Sequence, residues 1–312
     1  MLYDYKNGIY GIDAGYEGPG KAEIFMIRDG EHVALIETAH NAAFAPVLDA
    51  MLTLGVNRGQ IEYIFLSHVH LDHAGGAGLF MKEFPNAKLV VHERGARHMI
   101  SPEKLIAGVK QVYGEEETIR MYGEILPVNE NRVIVPKDGT EIKIGSHTVV
   151  CMDTPGHAKH HLAYYDKTAN VVFAGDIFGI SYLAMADGEK RWAIPTTSPV
   201  QFDPEVMNES VRRVLATGAE KVYLTHFGEV PNVKEVGEEL IRLVDAHKHL
   251  AIEMEGDFDK IEAAVRALFI EEGKKNNWPG SEETLLELLA VDINLNAQGL
   301  SVWYENETRA QH

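Results

Sequence analysis

Residues 67–73 read Ser-His-Val-His-Leu-Asp-His and follow directly on the apolar residues 64–66. Three imidazoles and one carboxylate therefore stand close together at the end of a predicted buried strand. Neutral imidazole nitrogen and carboxylate oxygen are ligands that suit zinc, iron and manganese. Gly75 and Gly76 come next and allow the backbone to fold tightly behind the ligands. The stretch predicts a strand, then a ligand-bearing turn, then a helix.

A polar loop in which histidines happen to cluster is the alternative, and for any single one of the 15 histidines it is the better interpretation. The spacing favours a metal site instead. His68 and His70 are two residues apart and point the same way in extended backbone, whereas Asp72 and His73 begin the next turn and can face a second ion. The motif remains a hypothesis until further ligands are found downstream.

Further candidate ligands follow three later apolar strands. Residues 148–152 lead to Pro155-Gly156-His157, residues 171–174 lead to Gly175-Asp176, and residues 221–224 lead to Thr225-His226. Strand ends are where sheet proteins commonly collect a site.

Taken in order, these motifs resemble the metallo-β-lactamase fold superfamily, whose pattern is His-x-His-x-Asp-His, Pro-Gly-His, Gly-Asp and a late His. The resemblance covers about the first 230 residues. It implies two divalent metal ions, zinc before iron or manganese, with these ligands: His68, His70 and His157 for the first ion, Asp72, His73 and His226 for the second, and Asp176 bridging. The set is similar to that of glyoxalase II and the metal-dependent lactonases. It lacks the cysteine ligand found in β-lactamases of this superfamily, which argues against β-lactam hydrolysis as the native role.

The remaining pattern predicts an α/β fold. Residues 8–13, 22–27 and 32–37 alternate as strands, and residues 44–52 have helical spacing closed by Gly55. Strands then alternate with helices, as the four-layered αββα sandwich implied by the resemblance requires. We predict a catalytic domain at residues 1–233.

Two helical segments depart from this alternation. Residues of about 97–125 are predicted to form a helical insertion, and one hypothesis is that it acts as a lid over the site. The candidate pocket residues are His92, His98, Tyr113 and Tyr122. Residues 234–312 are predicted to be a helical C-terminal extension, whose apolar stripes must pack on the core or on a second subunit. A homodimer is therefore one hypothesis.

Several residues near the ligands are candidates for supporting roles. Glu37 ends a strand where the family often has Asp-Thr-Gly, and it either braces the site or lies in water. His160 stands where many relatives have glycine, which makes a supporting or substrate-contacting role plausible. Tyr182 is the best candidate for an oxyanion donor because a phenol can hydrogen-bond a developing negative charge. Trp192 is interpreted as a hydrophobic wall.

Composition narrows the class of protein. The chain has 312 residues, of which 45% are hydrophobic and 24% charged, as in an ordinary globular protein. A net charge of −18 opposes binding to nucleic acid or to an anionic membrane, so we predict a small-molecule substrate. The single cysteine, Cys151, fits a reducing compartment, and the first residues show no signal-peptide pattern. These features predict a cytoplasmic protein.

The predicted chemistry follows from the charge of two ions. They would acidify a bridging water, and the resulting hydroxide would attack an ester-like bond, lactone or thioester first and phosphoester second. Asp72 would orient that hydroxide and relay a proton to the leaving group. An iron-dependent redox or dioxygenase enzyme is the first alternative, and a metal-bound scaffold without catalysis is the second.

Overall fold

The computed structural model describes residues 1–186, 190–197 and 200–310, without the side chains of residues 112, 113 and 310. The candidate pocket side chain Tyr113 therefore lies outside what is described. Within this part of the chain, two β-sheets face each other and helices cover both outer faces.

The first sheet has seven strands among the described residues. In spatial order they are β1 (Leu2–Lys6), β2 (Ile9–Asp13), β3 (Glu23–Asp29), β4 (His32–Ile36), β5 (Ile61–Phe65), β6 (Lys88–Val90) and β7 (Val133–Ile134). The first four are antiparallel neighbours, and β4 to β7 run parallel. Parallel strands place their carboxyl ends at one edge, which is the edge that matters for the site.

The second sheet has six strands in the described part of the chain. Their spatial order is β13 (Gly228–Val230), β12 (Lys221–Leu224), β11 (Val171–Phe173), β10 (Leu162–Asp166), β9 (His147–Asp153) and β8 (Glu141–Ile144). The β11 and β12 strands are parallel, and the other neighbours are antiparallel.

Helices form the outer layers. Those that follow strands of the first half of the chain are α1 (Phe44–Leu54), α2 (Leu71–Ala74), α3 (Ala77–Glu83), α4 (Glu93–Ile100), α5 (Glu103–Tyr113) and α6 (Glu115–Tyr122). Those of the second half are α7 (Pro204–Ala216), α8 (Val233–Glu253), α9 (Phe258–Lys275), α10 (Glu282–Leu288) and α11 (Ala290–Ala310). As predicted, Gly55 ends α1 in the left-handed conformation, at φ 67°.

Three hydrophobic clusters correspond to the three interfaces between layers. The middle cluster joins the inner faces of both sheets through side chains such as Phe25, Phe65 and Phe173. A second cluster packs α1, α3 and α4 on the seven-stranded sheet, and a third packs α7 to α11 on the six-stranded sheet. The predicted four-layered αββα sandwich with a helical C-terminal part is confirmed. The division at residues 233 and 234 stays a prediction, as does a homodimer.

Two local expectations differ from the structure. The first residues of the chain form β1, an edge strand that the sequence analysis did not assign. Residues 290–310 lie within the predicted helical extension, but α11 was not assigned as a separate helix, because its apolar residues do not form a clear stripe. In the described ranges, none of the helices has the length and apolar character that crossing a membrane requires.

Candidate metal centre

All seven predicted ligands lie at one edge of the sandwich. The first motif follows β5, His157 follows β9, Asp176 follows β11 and His226 follows β12. The two sheets meet here through a hydrogen bond from the Leu162 N–H to the Ser67 carbonyl, at 2.7 Å. Strands that are distant in sequence thus deliver their ligands to one place.

His68, His70 and His157 form the first cluster. His70 Nδ1 lies 2.8 Å from His68 Nε2 and 3.2 Å from His157 Nε2. Burial and, to a lesser extent, repulsion from His157 lower the pKa of His70 to about 3. Burial also lowers the pKa of His68 and of His157. The three rings are therefore neutral and can offer lone pairs to a cation.

Asp72, His73 and His226 form the second cluster. His226 Nε2 lies 3.3 Å from His73 Nε2 and 3.3 Å from Asp72 Oδ2. His73 Nε2 lies 3.6 Å from the same carboxylate oxygen. One ligand atom from each of the three residues falls within 4.8 Å of the other two.

Asp176 stands between the clusters. Its Oδ2 lies 3.5 Å from His157 Nε2 in the first cluster, and its Oδ1 lies 3.2 Å from His73 Nε2 in the second. The carboxylate is buried, and nearby imidazoles hold its pKa well below the usual value although burial alone would raise it. One side chain therefore faces both candidate sites.

The far nitrogens of the rings have fixed partners. His157 Nδ1 lies 3.0 Å from the Thr196 carbonyl oxygen, and His226 Nδ1 lies 2.8 Å from the Lys21 carbonyl oxygen. A carbonyl oxygen only accepts, so each Nδ1 carries a proton, and Nε2 is the nitrogen that each ring turns to its cluster. Metal-binding histidines are held in this way.

Glu37 hydrogen-bonds His73 of the second cluster. It is fully buried, and its Oε1 lies 3.2 Å from His73 Nδ1. It also accepts hydrogen bonds from the Thr225 hydroxyl at 3.3 Å and from the Ser67 N–H at 3.4 Å. Of the two interpretations left open by the sequence, the structure supports the brace and not the solvated carboxylate.

His160 and His161 occupy different positions beside the first cluster. His161 Nε2 accepts a hydrogen bond from the Asp176 N–H at 3.1 Å, which orients the shared carboxylate. The His160 ring is 6% exposed, and its centroid lies 6.2 Å from that of His68. Its Nδ1 is buried without a hydrogen-bond partner among the described residues. His160 is therefore adjacent to the cluster, and its role stays a prediction.

Tyr182 lies at the second cluster with its hydroxyl engaged. The ring contacts the His226 ring edge to face, with centroids 6.3 Å apart. The hydroxyl donates a hydrogen bond to Asp292 Oδ1 at 3.2 Å. An oxyanion donor role for Tyr182 stays a prediction, and it would require the hydroxyl to turn from Asp292. Trp192 is buried in the cluster beneath the helices.

The predicted insertion at about residues 97–125, which contains the end of α4 together with α5 and α6, contacts the N-terminal half of the chain through Tyr122. The hydroxyls of Tyr16 and Tyr122 lie 3.1 Å apart, and the Tyr16 ring packs against His40. His92 Nε2 lies 3.5 Å from Asp153 Oδ1. His98 Nε2 accepts from Arg97 Nε at 3.3 Å. Whether these residues contact a substrate stays a prediction.

Sequence reasoning missed Asp292 and Asn296 of α11. Both are buried, and Asp292 contacts Tyr182. The signal available was a pair of polar residues four apart, but without an assigned helix it had no structural meaning.

The donor set fits divalent ions. Imidazole nitrogens and carboxylate oxygens converge in two adjacent groups, and the outer nitrogens of His73, His157 and His226 already have other partners. Asp176 Oδ1 is buried and makes no hydrogen bond to any residue that the structure describes. A buried acceptor among converging lone pairs is costly unless a cation or a proton satisfies it.

Comparison with known proteins agrees with this geometry. A family model described as the metallo-beta-lactamase superfamily matches residues 18–226. A protein of Sulfurisphaera tokodaii named as metallo-beta-lactamase fold-containing protein ST1585 is 25% identical over 236 residues, which are 73% of this chain and 82% of that protein. A hydroxyacylglutathione hydrolase of Aeromonas salmonicida is 26% identical over 153 residues, 49% of this chain and 45% of that enzyme.

A solved structure extends the likeness of fold to the C-terminal helices. The metallo-beta-lactamase family protein TTHA1429 of Thermus thermophilus superposes with a TM-score of 0.66 at 22% identity. The match covers 99% of this chain and 95% of that protein.

Proposed function

We propose, since the chain belongs to the metallo-beta-lactamase superfamily, that it is a metal-dependent hydrolase of an ester-like bond. Thioesters and lactones are the first substrate classes and phosphoesters the second. The observation that carries the proposal is the position of Asp176, whose two oxygens face two adjacent ligand clusters. A pair of ions sharing one carboxylate is typical of hydrolytic two-metal sites.

The residues that would hold the ions are those brought together by the strand ends. His68, His70 and His157 would hold the first, Asp72, His73 and His226 the second, and Asp176 would contact both. Zinc is our first choice, with manganese or iron as alternatives, because nitrogen and carboxylate donors suit all three. When bound, the two ions would supply Lewis acidity, which acidifies water and polarises a carbonyl or phosphoryl group.

Asp72 is placed to move a proton. Burial raises its pKa, but the neighbouring His73 and His226 outweigh this and leave the pKa below the usual value. The carboxylate is therefore ionised at neutral pH. With Oδ2 turned to His226, Oδ1 is the atom that we expect to accept a proton and deliver it to the leaving group.

Glu37 and His161 prepare the site without touching a substrate. Glu37 accepts the proton of His73 Nδ1, and His161 holds the backbone N–H of Asp176. Both keep a ligand in one orientation, so little reorganisation is needed when the site is used.

Thioesters are favoured by the resemblance to hydroxyacylglutathione hydrolases. The Aeromonas salmonicida enzyme shares 26% identity with this chain over 153 residues. Because that match spans 45% of the relative, we propose for this chain only the class of bond, a thioester, and not the substrate itself.

The proposal is tested by a hydrolysis screen of the zinc-loaded chain on thioesters, lactones, phosphodiesters and a chromogenic β-lactam. We expect turnover in an ester class, and a fall of about 100-fold or more in Asp72→Asn, since a positioned proton-transfer group contributes about that much. Asp4→Asn, which changes an exposed carboxylate paired with Lys6, is the matched control. Absence of turnover in every class would overturn the proposal, and iron found by elemental analysis of the chain as purified would then favour redox chemistry.

A further inference from the structure

Two buried polar side chains lie on one face of α11. Asp292 and Asn296 are four residues apart, and their exposed fractions are 5% and 1%. The apolar side chains around them, among them Ile293 and Leu300, belong to the core beneath the helices. Buried polar groups need partners. The Asn296 amide oxygen and Asp292 Oδ1 find theirs in loops beside the candidate metal centre, whereas Asp292 Oδ2 is buried without a hydrogen-bond partner among the described residues.

Asn296 holds the loop that orients His157. Its Oδ1 accepts a hydrogen bond from the Thr197 N–H at 3.2 Å, and its backbone carbonyl accepts one from the Thr197 hydroxyl at 3.0 Å. The residue before Thr197 is Thr196, whose carbonyl accepts the proton of His157 Nδ1 at 3.0 Å. The Asn296 amide is itself fixed, since Nδ2 donates to the Asp292 carbonyl at 2.8 Å.

The approach of α11 to this loop depends on a glycine. A Cβ placed on Gly299 would lie 2.7 Å from both the carbonyl oxygen and the hydroxyl oxygen of Thr197. Such a contact is too short for any real side chain, so the helix can lie this close to Thr197 only because residue 299 has no Cβ.

Asp292 acts on the second cluster. Its Oδ1 accepts the hydrogen bond of the Tyr182 hydroxyl, and the Tyr182 ring packs against His226. The Lys21 ammonium lies over the same Tyr182 ring at 5.3 Å, and the Lys21 carbonyl accepts the proton of His226 Nδ1 at 2.8 Å. Asp292 thus fixes the Tyr182 ring, which contacts both His226 and Lys21, the hydrogen-bond partner of His226.

We propose that α11 is a positioning element of the metal centre, in which Asn296 orients His157 through Thr196 and Thr197, and Asp292 orients His226 through Tyr182. The inference rests on the proposed function only for the assignment of these two histidines as ligands. Loss of a group that orients a metal ligand typically weakens metal binding by about 10- to 100-fold. Asn296 and Asp292 are positioning residues, because neither belongs to the ligand clusters.

The test is zinc affinity of the full chain. Metal-free protein is titrated with zinc against a chromophoric chelator, and thermal unfolding of the metal-free protein is measured in parallel. We expect Asn296→Ala and Gly299→Ala to weaken one of the two zinc sites by about 10- to 100-fold, and Asp292→Ala to weaken the other by a similar factor. Asp292→Asn keeps an acceptor oxygen for Tyr182 and is expected to restore the affinity.

Two matched controls separate positioning from general stability. Asn294 also lies on α11, and Asn294→Ala removes its hydrogen bond to Glu262 of α9. Gly108→Ala adds a Cβ within α5 at a position where, apart from the helix backbone, no atom of a described residue lies within 4 Å. Both should bind zinc like the wild type. Gly299→Ala is the sharpest variant, because alanine normally favours a helix. A helix that is retained while zinc affinity falls would support the inference.

Unchanged zinc affinity in Asn296→Ala and Gly299→Ala would overturn the inference. The inference would also be overturned if zinc affinity fell in proportion to the unfolding temperature, and to the same extent in the variants and the controls. In that case α11 would only stabilise the fold. Neither result depends on hydrolysis. A wild-type chain that binds two ions and hydrolyses nothing would instead overturn the proposed function alone.

Discussion

Glu37→Gln is expected to weaken the ion held by Asp72, His73 and His226 and to leave the other ion nearly unaffected. Glu37 accepts from His73 Nδ1 and from the Thr225 hydroxyl at Oε1, and from the Ser67 N–H at Oε2. All three neighbours are donors, so the site requires two acceptor oxygens. Glutamine has the same shape but offers one oxygen and one NH₂ group.

The size of the effect follows from this mismatch. The amide oxygen can serve His73 and Thr225, and the NH₂ group must then face the Ser67 N–H, which is the longest of the three contacts at 3.4 Å. The substitution also removes a buried negative charge beside a metal ligand. Loss of such a partner lowers metal affinity by about 10- to 100-fold, which corresponds to about 1.4 to 2.7 kcal/mol.

The assay is zinc titration against a chelator that resolves both dissociation constants, together with denaturant unfolding of the metal-free chain. Glu23→Gln is the matched control. Glu23 carries another fully buried carboxyl group, whose two oxygens lie 2.9 and 3.0 Å from the Tyr5 hydroxyl, and none of its side-chain hydrogen bonds reaches a predicted ligand. We expect Glu23→Gln to leave both zinc affinities unchanged. Wild-type affinity for both ions in Glu37→Gln would refute the role assigned to Glu37.

Three further predictions concern a ligand, a catalytic candidate and a buried carboxyl group. His157→Ala should lose the first ion and abolish turnover. Circular dichroism should still show an intact fold, because the ligand lies in a loop after β9. Normal activity of this variant would show that His157 is not part of the site. If Tyr182 is the oxyanion donor, Tyr182→Phe at saturating zinc should lower kcat by about 100-fold. A kcat near wild type together with weaker zinc binding would show that the hydroxyl serves only to hydrogen-bond Asp292. Burial raises the pKa of Glu23 to about 8, so the folded state keeps a proton that the unfolded state loses near 4.5. Stability should therefore fall as pH rises from about 4.5 to 8, by at most about 5 kcal/mol, and Glu23→Gln should flatten this dependence in denaturant unfolding; an unchanged slope would contradict the buried, protonated carboxyl.

The sequence predicted the parts of the molecule that depend on local pattern. A strand that ends in His-x-His-x-Asp-His is recognisable because the ligands are adjacent in the chain. The later motifs were also found one by one, since each follows a short apolar strand. Their convergence on one edge is a property of the sheets, and it agrees with what the family resemblance implied.

What could not be predicted depends on contacts between distant segments. Glu37 left two interpretations open because only the fold shows that its side chain turns toward His73. Asp292 and Asn296 gave no usable signal, because their partners lie about 100 residues away in sequence. Buried polar residues of this kind are read as ordinary helix surface until the helix is placed against the core.

Zinc titration of the metal-free chain, with thioester and lactone hydrolysis followed at each step, tests whether the chain is a binuclear hydrolase. Turnover should rise with added zinc and reach a plateau at two equivalents per chain. His157→Ala should stay inactive throughout the titration. No turnover at any zinc loading, or binding of less than two equivalents at saturation, would contradict a binuclear hydrolase.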